Sequence, residues 1–177
     1  LQLINSYVIP NTKYSILDLG TGGGFPLLPL AMMLPDAHCT GLDATTKKIA
    51  AIQRIADQLS LKNVQLITGR AEELGSDPAH REQYDLITAR AVAPLNTLIE
   101  YAAPFATVGG KLLFWKSLNI EQELQDSLAA RSELHCHLIK THEYELSRDW
   151  GVRQLLAFEK TAKTSDRFPR PVGIAKK

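Results

Sequence analysis

Asp18-Leu19-Gly20-Thr21-Gly22-Gly23-Gly24-Phe25-Pro26 joins a short apolar run, Ser15-Ile16-Leu17-Asp18, to a segment over 25–34 dense in Leu, Ala and Met. The run reads as a buried strand, and the segment as a helix closed by Pro35-Asp36. A glycine-rich turn between a first strand and its helix is where doubly wound α/β folds hold nucleotides. Glycine lets the backbone approach the ligand, and the helix start faces it. Spacing separates two ligand classes. A dinucleotide turn runs Gly-x-Gly-x-x-Gly, whereas Gly20-x-Gly22-x-Gly24 puts Phe25 where the last glycine would fall, which favours S-adenosylmethionine. Pro26 and Pro29 agree with this, because they remove N–H donors that a diphosphate would use.

Strands and helices alternate outward from this turn. Strands are predicted over 39–43, 64–68, 84–89 and 110–115, the last launched from a Gly-Gly turn. Helices are predicted over 46–59, with Ile49, Ile52, Ala56 and Leu59 on one face, over 94–103 and over 120–131. Two strands over 135–144 and 152–159 close the chain. This order predicts an α/β fold whose mostly parallel sheet is covered on both faces and carries an antiparallel pair at one edge.

With 177 residues, 45% hydrophobic and 22% charged, the chain suits one compact domain. Residues 1–160 are read as that domain and 161–177 as its basic tail. No uninterrupted apolar run of about 18 residues exists, and the first residues lack signal-peptide order, so a cytoplasmic protein without a membrane partner is expected. Cys39 and Cys136 lie far apart and outside any Cys-x-x-Cys pattern, so both read as buried apolar residues. His135-Cys136-His137 lacks a third ligand at a recognisable spacing, and no metal is expected.

Asp43 closes the second strand 19 residues after Gly24, where a carboxylate accepts hydrogen bonds from ribose hydroxyls. Either cofactor class shares that feature. Ala71-Glu72 follows the third strand, where a loop runs beside an adenine ring. Thr88-Ala89-Arg90-Ala91 ends the fourth strand and should border a transferred methyl group. It has neither the Asn/Asp-Pro-Pro-aromatic tetrad of amino-group methyltransferases nor a nucleophilic cysteine. An acceptor with a ready lone pair and no proton to lose, such as guanine N7, needs neither device. Arg90 is the candidate catalytic residue in an orienting role. A guanidinium repels a sulfonium, so the methionine carboxylate, guanine O6 or a phosphate is its expected partner. Lys116, just after the fifth strand, is a candidate phosphate contact.

Net charge is unevenly spread. Residues 160–177 hold six basic side chains against Asp166, a net +5, while residues 1–159 carry −4. Arg167-Phe168-Pro169-Arg170 mixes positive charge with an aromatic ring, a composition suited to phosphate contact and stacking on an unpaired base. Arg167, Arg170, Lys176 and Lys177 are therefore candidate RNA contacts.

In Leu17-Asp-Leu-Gly-Thr-Gly-Gly-Gly-Phe-Pro-Leu-Leu-Pro-Leu30, Ala89-Arg-Ala-Val-Ala-Pro-Leu95 and Arg167-Phe-Pro-Arg-Pro-Val-Gly-Ile174, the chain resembles the glucose-inhibited division protein B family of bacterial small-subunit rRNA guanine-N7 methyltransferases. The similarity runs from about residue 15 onward. It implies a Rossmann-like class I methyltransferase domain that methylates N7 of a guanine in 16S rRNA, free or in the small subunit; a monomer is expected. Carried onto this chain, the cofactor contacts fall on Gly20, Phe25, Asp43, Ala44, Thr45, Ala71, Glu72 and Arg90, with Gly22 joining them from the glycine turn. Family members carry an N-terminal helical segment that is largely absent here. Two other readings remain open: a methyltransferase of small metabolites, and a cofactor-binding RNA module without activity.

Overall fold

The computed structural model describes residues 4, 6–7, 13–117, 120–145 and 151–175. Its elements follow the order β1 (Ser15–Leu19), α1 (Leu27–Met33), β2 (His38–Asp43), α2 (Thr46–Gln58), β3 (Val64–Thr68), α3 (Ala71–Leu74), β4 (Tyr84–Arg90), α4 (Leu95–Ala102), β5 (Ala106–Lys116), α5 (Glu121–Asp126), α6 (Leu128–Glu133), β6 (Cys136–Glu145) and β7 (Val152–Lys160). Among the described residues the strands form one sheet of order β3-β2-β1-β4-β5-β7-β6. β1 to β5 pair in parallel, and β7 runs antiparallel to both β5 and β6. The expected architecture is therefore present, with the strand order reversing between β1 and β4. No helix among the described residues is long and apolar enough to cross a membrane.

Alternation along the strands divides the core into two layers. Ile16, Leu86, Leu113, Leu155 and Ala157 pack with α1 and α2 on one face. Leu17, Leu19, Ile87, Ala89, Leu112, Phe114, Leu156 and Phe158 pack on the other, with α4. Within α2, Ile52 and Ala56 are buried four residues apart, whereas Leu59, expected on the same face, lies past the helix and is largely exposed. Cys39 and Cys136 are free and buried, and burial pushes each thiol up to about 12.

Two expectations need correction. The helix expected over 120–131 is interrupted at Ser127. The buried Ser127 hydroxyl donates to the Leu124 carbonyl at 2.8 Å, the acceptor that Leu128 N–H would use in a continuous helix. The Gly-Gly turn does not precede β5 but lies inside it. Pairing jumps from Tyr84↔Ala106 to Leu86↔Lys111, so residues 107–110 bulge out, with Gly109 at φ +87.

Candidate active site

The carboxyl ends of β1, β2 and β3 open onto a cleft of about 140 Å3 lined by Leu19, Gly20, Asp43, Ala44, Ala71 and Glu72, together with Arg70, Val92 and Tyr101. Gly20 holds φ +67, and a Cβ there would lie 2.7 Å from Val92 Cγ2. The connection after β4 therefore packs against the glycine turn. Asp43, 8% exposed, accepts hydrogen bonds from Gly22 N–H at 3.0 Å and Thr45 N–H at 2.9 Å. The Lys48 ammonium lies 3.6 Å away. One carboxylate thus ties the glycine turn to the end of β2. Across the cleft, Glu72 is buried and accepts from Gly173 N–H at 3.3 Å. Burial, a hydrogen bond to Glu72 and the charges of Glu72 and Glu100 push the Tyr101 phenol up to about 12.

Next to the turn, Asp18 is 1% exposed and Oδ1 accepts from Thr88 Oγ1 at 2.8 Å. Its Oδ2 and the nearby Thr21 Oγ1 are buried without a hydrogen-bond partner. Burial pushes this carboxyl up to about 6, against the lowering pull of Thr21, Thr88, the Leu27 N–H and Arg90.

A second cleft, about 470 Å3, is lined by Phe25, Pro26, Pro29, Arg90, Ala91, Trp115, Lys116, Ser117, Tyr144 and Arg153. Sheet register explains this gathering. Arg90 pairs with Trp115, Trp115 with Leu155 and Tyr144 with Arg153, so four strands, β4 to β7, deliver side chains to one end of one face. Phe25 is 55% exposed, and the Arg90 guanidinium lies 5.9 Å from its ring centroid. Burial raises the Tyr144 phenol above its ordinary range. Among the described lining residues there is no carboxylate or imidazole. Lys116 is turned away toward α5, where its ammonium meets Glu123 at 2.6 Å and the Ala93 carbonyl at 3.0 Å.

A family model described as GidB, rRNA small subunit methyltransferase G, matches residues 2–148. The chain belongs to the GidB family. Among curated GidB-type relatives, the ribosomal RNA small subunit methyltransferase G of Oenococcus oeni is 38% identical over 167 residues, covering 94% of this chain and 69% of the relative. That of Streptococcus pyogenes serotype M3 is 37% identical over 169 residues, covering 96% and 71%. Solved structures share the fold at lower identity. YcgJ from Bacillus subtilis superposes with a TM-score of 0.69 at 16% identity, covering 91% of this chain and 97% of its own. A SAM-dependent methyltransferase from Methanosarcina mazei gives 0.69 at 15% identity, covering 92% and 99%.

In this GidB-family chain the residues singled out from sequence fall into three groups. Gly20, Asp43, Ala44, Ala71 and Glu72 line the first cleft, and Gly22 and Thr45 reach it through Asp43. Phe25 and Arg90 line the second cleft instead. Arg167 and Arg170 line neither cleft but a groove with Glu100 of α4 and Glu133 of α6: Arg167 pairs with Glu133, and Arg170 forms a bidentate pair with Glu100. The Phe168 ring, expected to be free for stacking, is buried in the core. Lys176 and Lys177 lie outside the described residues. Sequence reasoning missed Val92 and Tyr101 in the first cleft and Trp115, Tyr144 and Arg153 in the second. Val92 stands two residues after Arg90 in the Ala-Arg-Ala-Val stretch, a signal within reach. The others depend on register and helix facing.

Proposed function

We propose that this GidB-family chain transfers a methyl group from S-adenosylmethionine to N7 of a guanine in 16S rRNA, free or within the small subunit. The observation that carries the reading is the pair of adjoining clefts that share one turn: Arg90 and Ala91 line the second, and Val92 lines the first.

The residues of the first cleft fit an adenosine. Buried Asp43 and Glu72 are acceptors for hydroxyl and amino donors, and Leu19, Ala71 and Val92 give apolar walls for a planar base. The missing Cβ at Gly20 lets Val92 pack directly against the glycine turn, which sets this wall of the cleft. When bound, S-adenosylmethionine supplies an electrophilic methyl group on a sulfonium. Phe25, Trp115 and Tyr144 offer aromatic surface to a splayed-out base, and Arg90 and Arg153 offer donors to its O6 or to a flanking phosphate. The lack of a carboxylate or imidazole among the described lining residues suits an acceptor whose lone pair attacks without losing a proton. Transfer would exchange a methyl–sulfur bond for a methyl–nitrogen bond and leave the positive charge on the purine, so the lining residues would need no base. What the side chains then contribute is alignment. A monomer working in the cytoplasm, where ribosomal subunits are assembled, fits this chemistry.

The test incubates the protein with radiolabelled S-adenosylmethionine and unmodified 16S rRNA or small subunits. The product is mapped by borohydride reduction and aniline cleavage, which cuts at N7-methylguanosine. A single cleavage in 16S rRNA is expected. Label incorporated without aniline cleavage would refute the N7 assignment, and incorporation into small molecules alone would refute the RNA substrate.

A further inference from the structure

The segment after β7 crosses the α4 side of the molecule as a strap held at successive points. At its root, the fully buried Lys160 ammonium donates to Glu82 at 2.7 Å and to the Ala103 and Ala106 carbonyls. Arg81 then donates to the carbonyls of Thr164, Ser165 and Phe168. Arg170 is bound through its backbone N–H and guanidinium to Glu100 of α4. One turn earlier on α4, the Thr97 hydroxyl donates to the Ala175 carbonyl at 2.9 Å.

Between these last two anchors lies a tight turn closed by Ile174 N–H to the Pro171 carbonyl at 3.0 Å. Gly173 sits in it at φ +83, a conformation that suits glycine. The turn aims Gly173 N–H at Glu72 Oε1, 3.3 Å away. Tyr101, next to Glu100 on α4, hydrogen-bonds the same carboxylate. Glu72 is therefore held from the strap and from α4 while it faces the cleft with Asp43 and Gly20.

We infer that the strap over 161–175 is a positioning element for the methyl donor: Gly173 N–H fixes the Glu72 carboxylate in the rotamer that receives the adenosine. This rests on the reading of the first cleft as the S-adenosylmethionine site. A carboxylate already held needs no ordering when the ligand arrives, so the strap acts on cofactor affinity. Its arginines pair with Glu100 and Glu133, and KM for RNA distinguishes this role from RNA capture.

The test uses a chain stopped after Val172, the full chain with Thr97→Val, and each combined with Glu72→Ala. S-adenosylmethionine binding is read by calorimetry, KM is measured for cofactor and for RNA together with kcat, and thermal unfolding is recorded without ligand. Stopping after Val172 is expected to weaken cofactor binding about three- to tenfold. KM for cofactor should rise equally, with kcat and KM for RNA within about twofold of the starting values. Thr97→Val, which keeps the chain length and the Arg170–Glu100 pair, should shift cofactor affinity the same way by a smaller factor. If the shortened chain does not fold, this variant carries the test. In the Glu72→Ala background either change should have no further effect, since the strap acts through that carboxylate. Unchanged cofactor affinity in folded variants overturns the inference, as does a loss that persists in full without Glu72. A rise in KM for RNA alone, with a shallower salt dependence, overturns it in favour of a strap that holds RNA. Asp43→Ala separates the two levels: if that variant binds cofactor normally, the reading of the cleft has failed rather than the role of the strap.

Discussion

Replacing Asp18 with Asn should stabilise the protein at neutral pH and remove part of its pH dependence. Asp18 is 1% exposed, Thr88 supplies one donor, and Oδ2 has none. Burial therefore raises the carboxyl from 3.8 to about 6, so the folded state binds a proton more tightly than the unfolded chain does. For an acid raised in this way, stability is greatest below the unfolded value and is lost as pH rises toward the folded one. The gap between 3.8 and about 6, at about 1.4 kcal/mol per pH unit, amounts to about 3 kcal/mol lost between pH 4 and pH 7. Asn carries no charge to desolvate. Its Oδ1 keeps the Thr88 bond, and its amide has the unpartnered Thr21 Oγ1 nearby as an acceptor. Urea unfolding of both proteins at half-unit steps from pH 4.5 to 8 should show the difference growing in favour of Asn by about 2–3 kcal/mol and levelling off above pH 7. Parallel pH profiles, or a variant less stable at pH 7.5, would refute the argument from burial.

Four further outcomes follow from the two clefts and the buried lysine. Asp43→Ala removes the acceptor for both Gly22 N–H and Thr45 N–H and should weaken S-adenosylmethionine binding at least about tenfold by calorimetry, leaving KM for RNA unchanged. Trp115→Ala should raise KM for RNA about tenfold through lost stacking without changing cofactor affinity, and equal RNA saturation curves would exclude the ring from the acceptor site. Arg90→Ala should lower kcat/KM for RNA, and unchanged turnover and affinity would remove Arg90 from the site. Lys160→Met removes the ammonium from the Glu82 carboxylate and two carbonyls, leaving Thr164 as the remaining donor to Glu82 and Ala103, and chemical denaturation should register a loss of about 2–4 kcal/mol.

The sheet and the first cleft were legible because their signals are local. The glycine turn and the end of the second strand lie within 26 residues of one another, from Asp18 to Asp43, and the parallel pairing of β1 with β2 brings their carboxyl ends together. Ser127 escaped because a hydroxyl that competes for a backbone carbonyl leaves no trace in hydrophobic periodicity. The basic strap misled for a different reason. Its charge is visible in the sequence, but the carboxylates that neutralise it, Glu82, Glu100 and Glu133, lie 34 to 78 positions away along the chain. Trp115, Tyr144 and Arg153 were out of reach because they meet only through the register of an antiparallel edge.

The same register explains how so few side chains can run the reaction. Arg90 is on the α1 face of β4, two positions beyond Thr88, which bonds Asp18. Ala91 then turns into the left-handed region at φ 56, an unfavourable conformation for a residue with a Cβ. That turn carries Val92 across to the other cleft, against Gly20. Three consecutive residues thus tie the wall of one cleft to the wall of the other, and the β1–β4 pairing holds the strand behind them rigid. For a methyl transfer that needs no proton removed, the distance and angle between donor and acceptor set the rate. A backbone turn braced by a parallel sheet fixes those quantities more firmly than any flexible side chain. Substitutions that disturb this turn should therefore lower kcat even where they leave every polar group of both clefts in place.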